Sequence, residues 1–157
     1  MKKFSVLLLS LLVLCVLTGC NNAQPAAPAA STLEIPLATL VADIVPGASE
    51  MASLPLMDLE DIIGISPDDF SDAVYLQSTA LEGGEALVLR AVDDEAAKSI
   101  VELLNNYLQR RCEETQNYVP EAYKLLKDAS VQRKNNTVAL IVTENAAEVT
   151  NKLLAGE

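Results

Sequence analysis

The side chains that could do chemistry in this chain are carboxylates and three cysteines, because histidine is absent from all 157 residues. Without histidine there is no Ser-His or Cys-His nucleophilic pair, and the commonest general base is missing. Cys112 is the one candidate nucleophile in the predicted folded region. It follows Leu108 by four residues on the apolar side of a predicted helix. This position favours a buried packing thiol over a reactive thiolate.

Carboxylates occur in three short clusters that could offer oxygen ligands to calcium. None of the clusters has the spacing of an EF-hand loop, and each lies where a helix is predicted to begin. A carboxylate at that position caps the helix or complements its dipole, so local structure explains the clusters without a metal ion. We therefore predict no catalytic residue, no metal site and no cofactor. The clusters are Asp58, Glu60 and Asp61; Asp68 and Asp69; and Asp93, Asp94 and Glu95.

Aromatic and glycine patterns give little support to a small-molecule site. The chain has four tyrosines, two phenylalanines and no tryptophan, a poor supply for stacking on sugars. Tyr107, Tyr118 and Tyr123 are interpreted as helix packing rather than a ligand wall. The Gly83-Gly84 pair lacks the following Lys-Ser/Thr of a phosphate loop and is interpreted as a turn.

A first hairpin followed by a helix is predicted in the middle of the chain. Strands over residues 73–80 and 85–92 flank Gly83-Gly84, a pair suited to the positive φ of a tight turn. Apolar residues at helical spacing then predict a long helix to residue 116, capped by Asp93. Arg110 and Arg111 lie towards the negative end of its dipole.

A second hairpin followed by a helix is predicted near the C-terminus. Strands over residues 130–134 and 137–143 join at Asn135-Asn136, and Asn145 with Glu148 forms a capping box for a last helix ending at Gly156.

Shorter helices are predicted around these two units. Apolar residues at helical spacing predict a helix from Leu37 to Val45. A second helix is predicted to begin at the cap Asp58 and to end at Gly64. Ser66-Pro67 predicts the start of a third, and Pro120 is the first residue of a fourth. The predicted fold class is α+β: a four-stranded antiparallel sheet with helices on one face, a two-layer sandwich.

The N-terminus has the pattern of an export signal. Lys2 and Lys3 precede an almost continuous apolar run from Phe4 to Leu17. A signal peptide has an apolar core of roughly 7 to 15 residues, whereas a membrane-spanning helix needs about 20. An ordinary secretory signal and a lipoprotein signal both fit this run.

The end of the apolar core favours the lipoprotein signal, because Leu17-Thr18-Gly19-Cys20 resembles the lipobox of bacterial lipoproteins. The resemblance implies a diacylglycerol on the Cys20 sulfur, which metabolic labelling with palmitate would detect, and cleavage before Cys20. Two fatty chains anchor a protein stably, since each buried methylene contributes about 0.8 kcal/mol. We therefore expect residues 1–19 to be the signal peptide, 20–33 an Ala/Pro-rich tether and 34–157 a single domain.

The charge of the chain limits its partners. Its formal net charge is −11 at pH 7, and removal of Lys2 and Lys3 would make it more negative. This charge argues against nucleic acid or anionic lipid as a direct ligand, because both would be repelled. The expected partners are the membrane, through the lipid on Cys20, and an envelope protein or a small ligand.

The order of elements is similar to that of a family of small lipoproteins from clostridia and related Gram-positive bacteria, which carries a domain of unknown function. The residues that carry the similarity are MASLP, the hairpin leading to the helix with Arg110-Arg111, YVPEAY, and the VALIV hairpin. The similarity implies an extracytoplasmic location at the cell membrane and supplies no catalytic residue. We expect a non-catalytic binding module of the cell envelope. The alternative is a hydrolase of an envelope polymer that uses carboxylates, with or without a divalent metal ion.

Overall fold

Five strands form one antiparallel sheet in residues 35–80 and 83–156, which are the residues that this computed structural model describes. The spatial order is β1-β2-β3-β5-β4, and every neighbouring pair is antiparallel. Cys20 and the predicted signal peptide and tether lie outside the described residues. The strands are β1 (Ala52–Ser53), β2 (Phe70–Gln77), β3 (Glu85–Ala91), β4 (Val131–Lys134) and β5 (Thr137–Val142).

Five α-helices pack against this sheet in the described part of the chain. Short 3₁₀ turns at Ala48–Glu50 and Pro67–Asp69 complete the secondary structure. Among the described residues, no helix has the length and apolar character needed to cross a membrane. The helices are α1 (Leu37–Ile44), α2 (Asp58–Ile63), α3 (Asp94–Thr115), α4 (Pro120–Asp128) and α5 (Ala146–Ala155).

The two central strands, β3 and β5, are buried on both faces of the sheet. Leu87 and Leu89 of β3 pack into a larger core with α2, α3 and α4. Ala86 and Val88, the alternate residues of the same strand, pack into a smaller core with α1 and α5. A strand covered on both sides needs consecutive apolar residues, which is why β3 and β5 show no polar alternation.

The predicted α+β class with an antiparallel sheet packed against helices is confirmed, but two of its details are wrong. The sheet has five strands and not four, because Ala52–Ser53 pairs with Leu76 and Gln77 of β2. A two-residue strand has no alternation that a sequence pattern could reveal. Helices also cover both faces, so the described domain has three layers rather than the two of the predicted sandwich.

The two hairpin-and-helix units are present but are not equivalent. Hairpin β2–β3 leads into α3 on the face of the larger core, whereas hairpin β4–β5 leads into α5 on the face of the smaller core. A two-fold axis relating two antiparallel strands runs perpendicular to their sheet and would leave both helices on one face. The arrangement therefore does not support a simple internal duplication.

Several helix ends follow the sequence signals and others do not. The Asp93 carboxylate accepts a hydrogen bond from the Ala96 N–H at 2.8 Å, as expected for a cap. Asn145 instead adopts a left-handed conformation with φ 60° and makes no side-chain cap bond, so the predicted capping box is wrong. The predicted cap Asp58 is also wrong, because Met57 holds the cap position and Asp58 begins α2.

Gly64 ends α2 in the left-handed conformation that its sequence position predicts. Its φ is 91°, and the N–H groups of Gly64 and Ile65 both donate to the Leu59 carbonyl. Leu59 and Ile65 are fully buried in the larger core, which is the apolar contact that accompanies this type of helix end. The chain can reverse here because glycine has no Cβ to oppose a positive φ.

We expect Gly64→Ala to lower the free energy of unfolding by about 1 to 2 kcal/mol, the cost of a left-handed conformation for a residue with a Cβ. An added Cβ would meet Leu103 Cδ2 at an ordinary 3.6 Å, so steric overlap does not contribute. Gly64→Asn is the matched control and should cost less, since asparagine tolerates this conformation. Chemical denaturation measures both variants, and equal losses would contradict this explanation.

Candidate functional site

Glu85 is the only buried Asp, Glu, Lys or Arg among the described residues, and it lies at the centre of a hydrogen-bonded network. One of its carboxylate oxygens accepts from the Tyr107 hydroxyl at 2.9 Å. The other accepts from Arg111 Nη1, also at 2.9 Å. Arg111 Nη1 donates in addition to the Tyr107 hydroxyl at 2.6 Å, and the hydroxyls of Tyr107 and Tyr75 are 3.2 Å apart. Every member of the network is therefore bonded to another member.

The elements around the network bring these four residues together. Glu85 is the first residue of β3 and shares the sheet face of Leu87 and Leu89, which α3 covers. Tyr107 and Arg111 are four residues apart on α3, so both project from one side of that helix. Arg111 keeps a quarter of its side chain exposed while Glu85 is almost fully enclosed.

Burial controls the ionisation of this network. Loss of solvent raises the pKa of the Glu85 carboxyl, and the Arg111 charge and the Tyr107 hydrogen bond offset part of that rise. Burial also raises the pKa of Tyr75 and Tyr107, and the charge of Glu85 adds to both shifts. Both phenols are therefore neutral hydrogen-bond donors, and neither is a nucleophile.

Tyr75 connects this network to an apolar groove of about 360 Å³. The groove follows the outer side of β2, between α1 and the segment after β1. Side chains from both faces of β2 line it, which places the groove along the edge of the strand rather than on one face. Its lining residues are Ala38, Ala42, Ala48, Ser49, Ser53, Leu54, Leu56 and Ala73–Leu76.

The edge of β2 is open along this groove because β1 is short. β1 pairs only with Leu76 and Gln77, and the Leu54 N–H adds one more bond to the Tyr75 carbonyl at 2.9 Å. Pro55 then turns the chain away, its carbonyl accepting from the Asp58 N–H. In the described residues no strand lies beside Ala73 on this side.

A second groove, of about 440 Å³, is lined mainly by polar residues and lies between α4 and the loop from β5 to α5. Its charged residues, Glu121, Lys124, Asp128 and Glu144, are all exposed to solvent. Within residues 35–80 and 83–156, no group of three or more His, Cys, Asp or Glu side chains is placed to hold a metal ion. Solvated side chains at the mouth of an open groove give no special chemistry.

Cys112 lies where its packing role predicts, although it is half-buried rather than buried. It packs against the larger core at its margin, and burial raises the pKa of its thiol. A raised pKa keeps the sulfur protonated at neutral pH and disfavours nucleophilic attack. The neighbouring Arg110 donates to the Ile62 carbonyl at 2.8 Å, away from the thiol.

The three acidic clusters are local features of their helices. Asp68 and Asp69 lie in the 3₁₀ turn that Ser66 begins, and Asp93 caps α3. Asp94 pairs with Lys98 at 2.5 Å and also contacts Arg133, so its charge is compensated. The structure does not bring the three clusters together at one site.

The predicted tyrosine group and the predicted tight turn both differ from expectation. Tyr107 is buried in the network, while Tyr118 is 84 % exposed, so the tyrosines do not share one environment. Gly83 and Gly84 do not adopt positive φ. Gly84 is needed for a different reason, since a Cβ there would lie 2.5 Å from the Val142 carbonyl oxygen.

The Glu85 network is not predicted from the sequence. The sequence places Arg111 towards the negative end of the helix dipole, whereas in the structure it forms an ion pair with Glu85, 26 positions earlier. One signal was available: a glutamate begins a strand, EALVLRA, whose other residues are almost all apolar. A charge at such a position requires a partner, and α3 offers Arg110 and Arg111.

We expect Arg111→Met to lower the free energy of unfolding by about 3 kcal/mol, because it leaves the buried Glu85 without its ion-pair partner. Replacing both residues, Glu85→Leu with Arg111→Met, should cost less than Arg111→Met alone, since no uncompensated charge remains. Arg110→Met is the matched control and should cost about 1 kcal/mol for its single carbonyl bond. Denaturant unfolding of the four proteins tests this, and equal losses for the two arginines would contradict the assigned role.

The raised pKa of Glu85 also predicts a pH dependence. A carboxyl with a raised pKa in the folded state stabilises the protein most below its unfolded pKa of about 4.3, and this stabilisation is lost as pH rises through the folded value. The free energy of unfolding should therefore fall from pH 4 to pH 8, relative to a Glu85→Gln variant that cannot titrate. Denaturation of both proteins at several pH values measures the difference. A difference that grows in favour of the native protein would mean that Arg111 outweighs burial.

The family comparison adds one finding to this geometry. Residues 47–143, more than half of the chain, match the family described as "Domain of unknown function (DUF4358)". No curated protein and no solved structure has significant similarity to the chain. The matched range spans all five strands and α2 to α4, including Glu85, Tyr107 and Arg111. The predicted similarity to a family with a domain of unknown function is therefore confirmed at that level, and the chain belongs to the DUF4358 family.

Proposed function

We propose that this protein is a lipid-anchored binding module on the extracytoplasmic face of the cell membrane. The single observation that carries the binding role is the apolar groove along β2, whose wall Tyr75 is fixed by the Glu85 network. A volume of about 360 Å³ is within the range of ligand sites, which are concave and mostly apolar. The anchoring part of the proposal is supported by the Leu17-Thr18-Gly19-Cys20 motif in the sequence.

The alternative function, an envelope-polymer hydrolase that depends on carboxylates, has less support. Such an enzyme needs an acid and a second carboxylate facing one substrate bond. Glu85 has the raised pKa of a general acid, but both its oxygens are bonded inside the protein. The carboxylates of the second groove are exposed to solvent at its mouth rather than enclosed against a substrate bond.

The lipid anchor predicts the behaviour of a Cys20→Ala variant. We expect it to lose metabolic labelling with palmitate and to appear as precursor or released protein, because only the cysteine thiol can form the thioether to diacylglycerol. Cys112→Ala is the matched control and should keep both labelling and membrane association. Labelling, membrane fractionation and mass spectrometry of the N-terminal peptide measure the result. Unchanged labelling of Cys20→Ala would refute the anchor.

The binding role has its own test, crosslinking at the surface of intact cells. A blocked groove should lose the partner that the native protein captures. Ala42→Lys is suitable because Ala42 is exposed on α1 and lines the groove. Capture that is unchanged by this variant would move the binding site away from the groove.

A further inference from the structure

We propose that the groove along β2 binds an extended segment of a partner polypeptide, which adds to the sheet as a strand beside Ala73 and carries Lys or Arg next to small apolar residues. This inference rests on the proposed binding function and specifies the chemistry of the partner. Binding by strand addition uses main-chain hydrogen bonds for affinity and neighbouring pockets for side-chain selection.

The backbone of β2 presents the groups that such a strand would need. The Ser78 N–H donates to the Gly84 carbonyl. Because hydrogen-bonded pairs alternate along an antiparallel ladder, the N–H and C=O groups of the even-numbered residues of β2 point towards β3. Odd-numbered residues point to the other side, as the bond from the Leu54 N–H to the Tyr75 carbonyl shows. By the same alternation the N–H and C=O of Ala73 point into the groove. One residue of a peptide could exchange both hydrogen bonds with Ala73.

The ends of the groove limit the length of the added strand. On one side β1 and Leu54 already pair with residues 75–77. On the other side the Asp72 carboxylate accepts from the Leu37 N–H at 2.9 Å, where the chain passes into α1. The open length is therefore short, and the pairing centres on Ala73. Side-chain contacts must supply much of the affinity.

The walls of the groove favour small apolar side chains. Alanines from α1, from the 3₁₀ turn and from β2 line it, together with two serines. Tyr75 cannot move aside to admit a larger group, because its hydroxyl is held next to Tyr107. Ala and Val fit these dimensions and also suit an extended backbone.

Charge around the groove favours a basic partner. From residue 35 to residue 89 the sequence contains no lysine or arginine and ten acidic residues. All elements that build the groove come from this range, and Asp43 and Glu50 are exposed next to its lining residues. A cationic segment would therefore be attracted and an acidic one repelled, with a strength that falls as salt rises.

The test uses the full-length protein in mild detergent and a labelled synthetic peptide, Lys-Ala-Val-Ala-Val-Lys, followed by fluorescence anisotropy. We expect saturable binding that Ala42→Lys weakens at least about tenfold, because its side chain occupies the groove. Ala147→Lys is the control: it adds the same charge at an exposed position of α5 outside the groove and should bind as the native protein does. A peptide with N-methylated central residues should also lose binding, since it cannot form the main-chain bonds.

Other outcomes overturn the proposal. Absence of binding up to millimolar peptide, equal binding of the N-methylated peptide, or equal weakening by both lysine variants would exclude strand addition at Ala73. A native dimer that Ala42→Lys dissociates would assign the groove to a second copy of this chain. If cell-surface capture depends on the groove while the peptide does not bind, the binding function stands and the strand-addition inference fails.

Discussion

Burial of β3 and β5 on both faces is the constraint from which the rest of this structure follows. Each strand carries apolar side chains on two sides, so helices must cover the sheet twice. Only five helices are available in the described residues, four of them with ten residues or fewer, and they cover the centre of the sheet. The two edges of the sheet are short. One edge is β4, and the other is β1, which covers only two residues of the neighbouring β2. The groove is a consequence of that incomplete edge.

Glu85 lies inside this otherwise apolar arrangement. Its hydrogen bonds connect the start of β3 to α3, the helix that covers this face of the sheet. An ion pair with one partner deep in the protein is not a strong source of stability, because desolvation offsets the attraction. The ion pair does fix the position of α3 relative to β3. The Glu85 carboxylate keeps both its hydrogen bonds only when Tyr107 and Arg111 of α3 lie within bonding distance of it. The Tyr75 hydroxyl is hydrogen-bonded to that of Tyr107. The position of Tyr75, which forms one wall of the groove, therefore depends on how α3 packs against the sheet.

Local signals predicted the local parts of this fold. The length of α3, its Asp93 cap, the Pro120 start and the Asn135 turn with φ 53° all depend on residues close together in sequence. The second helical layer, β1 and the Glu85 network depend on residues far apart. Apolar runs such as TVALIV indicate a buried strand but do not tell how many layers cover it. The groove could not be predicted, since it is defined by where pairing stops.

The separation of charge along the chain connects this site with the proposed anchor. Every lysine and arginine from residue 35 onward lies at or after Arg90, so residues 35–89, which build the groove, carry only acidic charges, with Arg90 paired to Asp72 at one end. Such a surface is repelled by anionic lipid within a Debye length of about 8 to 10 Å. The tether predicted for residues 20–33 would reach about 40 Å if it were fully extended at about 3.1 Å per residue, several times that length. A lipid on Cys20 would thus hold the domain at the membrane without forcing its acidic side against the lipid surface, and the groove would remain accessible to a basic segment of a neighbouring protein.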